Sequence, residues 1–338
     1  MDYARTNAEL LAEEELPGLT ARARENLDTF LVRHHACWLV AEHGGEIVAG
    51  RVAADSSRVF AERRRLPSTE AGASRGFVSP LPDGGLAVAA GGRVTVYDAD
   101  ARVRWTHEFE PWSYAKTGGP ACVTDGGGSR LLVTTTGPGM ADRPYPGDRC
   151  VVLELSDGRT VTHTTLPSAS AGYIFQQSLT DPAQIFLDAL QGDTFYSRVL
   201  TLEGDTVRAE PFGDDEPFAG VSLDGAVLQL DVGGEWMSRC EAGSDEVLVE
   251  AEDVLPEGLR FVGQRPGFLD RDRIVVAVAE EEGAEDNRHL ILDGRTLQPV
   301  FELDYPGTTC PDPLALGDGT WLTTEEDLVR RWRVAGSE

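Results

Sequence analysis

The sequence predicts an all-β chain: a seven-bladed β-propeller of four-stranded antiparallel blades, its ring closed by an N-terminal strand. Three observations predict it. Seven prolines (Pro17, Pro67, Pro111, Pro167, Pro211, Pro256 and Pro306) recur at steps of 50, 44, 56, 44, 45 and 50 residues, each after a strand-like run. The 32 residues after Pro306 and the 17 up to Pro17 together make one further step of 49. Every step also holds the same succession of apolar runs and turn residues. A strand-built repeat of this length is one supersecondary unit copied around a ring.

The innermost strand of each blade, A, is short: 28–35, 76–82, 121–127, 173–181, 218–224, 260–266 and 313–319. Strand B follows as an apolar run ended by Gly or charge, as in GLAVAAGGR (85–93), SRLLVTTTGPG (129–139), AQIFLDALQGD (183–193), GAVLQLDVGGE (225–235) and DRIVVAVAEEE (272–282). CWLVAEHGGE (37–46) and TWLTTEED (320–327) fill the same slot. Such runs are what a strand buried on both faces requires. Strands C and D form a hairpin around an Asp/Gly turn, as in 93–111, 150–167, 198–212 and 289–306. Proline then ends the pairing, because it has no N–H to donate.

The last blade lacks a strand D, since the chain ends at RRWRVAGSE (330–338). Residues 8–17, AELLAEEELP, match the slot that EVLVEAEDVLP (246–256) fills elsewhere, and are expected to pair with 328–334. The whole chain, 1–338, then reads as a single domain. The stretch 19–33 also admits a short helix ahead of blade 1.

The segments VTVYDADARVRWTHEF and LILDGRTLQPVFEL resemble the strands of the broad class of WD40-like and quinoprotein-like propellers. The resemblance implies the architecture only. The Gly-His and Trp-Asp dipeptides of true WD40 repeats are missing, as is the vicinal cysteine pair that goes with quinone chemistry in look-alike propellers. No cofactor is expected.

Charge narrows the partners. With 30 Lys and Arg against 57 Asp and Glu, the net charge is −27, which repels phosphate backbones and disfavours nucleic acid. No run of 18 apolar residues is present, so no spanning helix is expected. The first 18 residues lack the basic and apolar regions of a signal peptide, which suggests a cytoplasmic protein. The cysteines at 37, 122, 150, 240 and 310 stand singly and read as buried thiols, not a disulfide framework.

Most chemistry-bearing residues read as loop or strand residues. His34 and His35 fall at one end of a strand and His43 at the other, about 20 Å apart at ~3.3 Å per residue, too far to share a metal. The acidic run 279–289 lacks the ligand alternation of a calcium loop, and Asp214, Asp215 and Glu216 read as a turn. His107 and His163 lie in outer strands, and no G-x-S-x-G elbow is present.

PWSYAKTGGP (111–120) is different. It places Trp112, Tyr114 and Lys116, the only lysine, in one D–A loop. The longest B–C loop, 135–149, carries Arg143 and Tyr145 and makes the 56-residue step. In a propeller both kinds of loop emerge on the same face. These five residues are the expected contacts for a protein, a peptide or a cationic small molecule. The competing expectation is a lyase or hydrolase with a polar site at the mouth of the channel.

Overall fold

In a computed structural model of the chain, the described residues are 3–16, 30–32, 36–43, 46–67, 77–112, 119–138, 147–169, 171–191, 194–213, 216–241, 246–280, 287–306, 312–325 and 327–336. They form strands almost throughout. The N-terminal strand is β1 (Arg5–Glu15). Blade 1 follows with β2 (Phe30–Val32), β3 (Ala36–His43), β4 (Glu46–Val52) and β5 (Phe60–Pro67). Blade 2 has β6 (Phe77–Pro80), β7 (Leu86–Ala90), β8 (Arg93–Tyr97) and β9 (Val103–Glu108). Blade 3 has β10 (Cys122–Thr124), β11 (Arg130–Thr135), β12 (Arg149–Glu154) and β13 (Thr160–Thr165).

Blade 4 has β14 (Gly172–Gln177), β15 (Gln184–Gln191), β16 (Thr194–Glu203) and β17 (Thr206–Pro211). Blade 5 has β18 (Phe218–Val221), β19 (Val227–Leu230), β20 (Trp236–Cys240) and β21 (Val247–Glu250). The single described helical turn, α1 (Ala251–Val254), comes next. Then follow β22 (Arg260–Phe268), β23 (Arg273–Ala279), β24 (Arg288–Asp293) and β25 (Pro299–Asp304). The last strands are β26 (Leu314–Ala315), β27 (Thr320–Glu325) and β28 (Leu328–Val334).

Blades 1 to 5 are separate four-stranded sheets, each in sequence order. The remaining strands make one eight-stranded sheet, β22-β23-β24-β25-β1-β28-β27-β26. As expected, β1 is the outer neighbour of β28, antiparallel, from Ala8 opposite Val334 to Glu15 opposite Leu328. The sequence did not announce what its first residues do. Arg5, Thr6 and Asn7 pair in parallel with Glu302, Leu303 and Asp304 of β25, so one strand seals the edges of two four-stranded sets.

Burial follows the predicted period. β7, β11 and β23 are buried almost end to end, whereas the outer β9, β13 and β17 alternate or face solvent. Of the seven marker prolines, Pro67 and Pro211 end their strands, and Pro111, Pro167 and Pro306 follow theirs within three residues. Pro17 lies outside the described residues. The 246–256 slot departs from a plain strand. β21 stops at Glu250, Ala251 N–H donates to Glu235 O at 2.7 Å, and one turn buries Ala251 and Val254 while Glu252 and Asp253 face solvent. That i, i+3 placement favours a helical turn over continued alternation. Of the stretch 19–33, the described residues 30–32 are strand.

The chain divides into two compact units: Met1–Glu25 with Gly50–Arg63 and Pro217–Glu338, and Asn26–Ala49 with Arg64–Glu216. In the first, one cluster packs Leu228, Met237, Phe261, Phe268 and Leu290, and another packs Ala8, Trp321, Trp332 and Val334. In the second, Trp38, Tyr97, Trp112, Leu132, Tyr173 and Leu187 share one large cluster. Neighbouring sheets there interlock through small residues: Gly158 has a φ of +75°, and a Cβ on it would sit 2.6 Å from the Trp105 ring. The Trp105 indole meanwhile donates to Leu155 O at 2.9 Å. Among the described residues, no helix is long and apolar enough to cross a membrane.

Candidate binding surface

In the second unit, the D–A connection leaves β9 through Glu110, Pro111 and Trp112, and the long B–C connection leaves β11 through Thr136. The two roots are joined: Thr136 Oγ1 donates to Glu110 O at 2.6 Å. The return ends are fixed as well. Ala121 N–H donates to Thr134 Oγ1 at 2.8 Å, and Thr134 N–H donates to Ala121 O at 2.9 Å. Gly119 N–H reaches Ala171 O at 3.3 Å, carrying the D–A connection alongside the start of β14.

Trp112 is 7% exposed, so it is a core residue and not a projecting contact. Its ring meets Phe109 edge-on at 6.1 Å. The indole Nε1, although buried, has no acceptor among the described residues. Indole nitrogen can only donate, and leaving such a group unsatisfied costs about 1–3 kcal/mol. Tyr114, Lys116, Arg143 and Tyr145 lie outside the described residues.

The far root of the B–C connection rests on a buried polar network that the sequence reading did not find. Asp148 and Tyr173 are completely buried, and the Tyr173 hydroxyl donates to Asp148 Oδ2 at 2.5 Å. Its one proton being spent there, the phenol oxygen accepts from Ser168 Oγ at 2.8 Å. Ala171 N–H adds a bond to the same carboxylate oxygen at 3.3 Å. Backbone bonds from Leu166 N–H to Asp148 O and from Asp148 N–H to Ser168 O, both 2.8 Å, complete the anchorage. These residues come from three separate connections and strands, and no local spacing marks them as a set.

Elsewhere in that unit a cleft of about 260 Å³ lies among Arg64, Arg65, Leu66, Leu86, Asp98 and Asp100. Its charges are engaged. Arg64 lies over the Trp38 ring at 5.6 Å, Arg65 meets Glu46 at 3.4 Å, and Asp98 accepts from the N–H groups of Asp100 and Arg102. In the first unit, His289 Nδ1 lies 2.6 Å from Tyr305 Oη, which accepts from Trp321 Nε1 at 2.9 Å. Among the described residues, no group of three or more His, Cys, Asp or Glu side chains could hold a metal ion. His34, His35, Asp214, Asp215 and Cys310 fall outside them.

No protein-family model matches the chain, and no curated protein matches it in sequence. Solved structures do match. The chain is similar to the β-propeller domain of Cps50 (Swd1) from Myceliophteria thermophila, with 10% identity, a TM-score of 0.55, and 96% of this chain and 100% of that one covered. It is similar to a chain of the mitotic checkpoint complex, with 12% identity, a TM-score of 0.61, and 98% and 93% covered. It is also similar to streptogramin B lyase, with 11% identity, a TM-score of 0.57, and 97% of each covered. Identities this low carry the fold and nothing further. The fold is a β-propeller.

Proposed function

We propose that the chain is a non-catalytic binding or scaffold propeller of seven blades, one domain over residues 1–338, that engages its partner through the loops of blades 2 and 3. The observation that carries this reading is the Thr136–Glu110 hydrogen bond, which starts the aromatic D–A loop and the long B–C loop from one point. Two loops rooted together present a joint surface, and Tyr114, Lys116, Arg143 and Tyr145 are its contacts, with buried Trp112 as their footing. Extra length in one repeat concentrates on the working side of repeat proteins. A further support is the similarity to a propeller that belongs to an assembly, the mitotic checkpoint complex.

The partner in this reading is a protein or peptide, or a cation-bearing small molecule, and neither nucleic acid nor a membrane. A surface of net charge −27 attracts basic groups and repels phosphates. The test is capture from native lysate by wild type and by a Tyr114→Ala/Lys116→Glu/Tyr145→Ala variant, which leaves Trp112 in place. The variant is expected to melt like wild type and to recover the specific partner several-fold less well, and raised salt should weaken capture by both. Equal recovery by the two proteins places the working surface elsewhere.

A further inference from the structure

Outer strands of open sheets are templates for pairing with another chain, and folded proteins guard them with charge, proline, a bulge or a cover. Apart from β13, the described outer strands of this chain are guarded by charge or by a cover. β5 carries Glu62, Arg63, Arg64 and Arg65; β9 carries Arg104 and Glu108; β17 carries Arg208 and Glu210. β21 ends at Glu250 and runs into α1, while β25 is covered by β1. β13 reads TVTHTT, without a charged residue, and among the described residues no strand pairs with its outer side.

The usable part of this edge is short. The register slips between Thr160 and Thr162, so Val161 is a bulge and regular pairing runs from Thr162 to Thr165. Val161 packs into the cluster that holds Val207, while His163 and Thr165 are exposed. Leu166 N–H bonds inward to Asp148 O at 2.8 Å. By the alternation of an antiparallel ladder, Thr162 and Thr164 also bond inward to β12, and His163 and Thr165 turn their N–H and C=O groups outward.

We propose that this edge pairs with the same edge of a second copy of the chain. A two-fold axis at Thr164 sets Thr164 opposite its equivalent and His163 opposite Thr165, giving four hydrogen bonds between the two outward pairs. The chain already joins two four-stranded sets through their outer strands, β25 to β1, by pairing only three residues. The occupant follows from local charge. Arg159 pairs with Glu154 at 3.0 Å, and Arg149 sits directly across from Thr165, so the edge is an uncharged strip with a cation across from one end. That is a poor seat for a basic segment and a good one for an identical uncharged strand, since β-branched pairs across strands are favourable. So small a contact makes a weak dimer.

Sedimentation velocity from micromolar to millimolar concentration tests this. Wild type is expected to shift from monomer to dimer, more readily in higher salt, which screens the repulsion between two acidic bodies. Thr165→Pro removes an outward N–H from each copy and leaves the inward ladder intact. It should weaken the dimer by about tenfold, as expected for two hydrogen bonds, with an unchanged melting temperature. If that variant misfolds, Thr164→Lys decides, since it sets like charges opposite each other on the axis. A wild type that stays monomeric throughout leaves the edge to a strand of another protein and overturns the assignment. Dimers that persist unchanged in the folded variants overturn it too.

Discussion

At Arg331 a guanidinium is withdrawn completely from solvent inside the first unit. The burial is tolerable because the fork is filled. Nη1 donates to Ala53 O at 2.6 Å, with Arg58 O at 3.3 Å, Nε donates to Thr320 Oγ1 at 3.1 Å, and Nη2 donates to Asp318 Oδ2 at 2.5 Å. Arg331→Met keeps much of the volume but strands the Asp318 carboxylate and a buried carbonyl. Losing one partner of a fully buried ionic pair costs about 3–5 kcal/mol; because 44% of the Asp318 side chain stays exposed, a smaller loss of about 1–3 kcal/mol is expected, set by the carbonyl left unsatisfied. Urea unfolding should show that loss. A change under about 1 kcal/mol would mean that water replaces the guanidinium and that the cluster is not a strut. Trp112 is the opposite case, a buried donor with no acceptor among the described residues. Both outcomes were beyond residue types alone, since which buried polar group is satisfied depends on strands far apart in sequence.

At the scale of elements, β1 joins two strands that lie far from it in sequence. It pairs antiparallel with β28 and parallel with β25, and Leu16 N–H bonds to Asp327 O at 2.7 Å. Glu14 reaches sideways to accept from Val59 N–H at 2.9 Å and to meet Arg63 at 2.5 Å. Burial of Leu16 alone is worth about 1.5–3 kcal/mol. Deleting residues 1–18 should therefore lower the thermal midpoint by several degrees and expose two strand edges to aggregation. A truncated chain with the wild-type midpoint would show that the pairing adds nothing. The antiparallel half of this role was legible because the last repeat lacked an outer strand and AELLAEEELP, ending at a marker proline, fits that slot. The parallel half was not, since a three-residue edge contact leaves no periodic trace. The inner strands were the most legible, because burial on both faces forces an unbroken apolar run. The turn at α1 was hidden because VLVEAEDV satisfies both periods, and a tertiary acceptor, Glu235 O, decides between them. The loop roots at Glu110 and Thr136 were placed by loop length, but the Asp148–Tyr173–Ser168 footing was not, because its members share no spacing.

For the molecule as a whole, the repeat that runs through both compact units predicts that they behave as one domain. A probe and a perturbation in different units can decide it. Cys150 lies in the second unit, wholly buried, and burial alone pushes its thiol from an ordinary 9.0 up to about 12. The native thiol stays protonated and shielded at pH 8, so labelling there reports its release on unfolding. The perturbation is loss of β1, which belongs to the first unit. If residues 1–338 unfold together, the truncation must lower the urea midpoint of Cys150 labelling as much as it lowers the midpoint seen by circular dichroism. If they are two domains, labelling at Cys150 keeps its wild-type midpoint and circular dichroism shows two steps. A chain with other cysteines changed to serine isolates the signal. One midpoint that moves by both probes is the expected result, because a propeller repeat has no natural seam at which half of it could unfold alone.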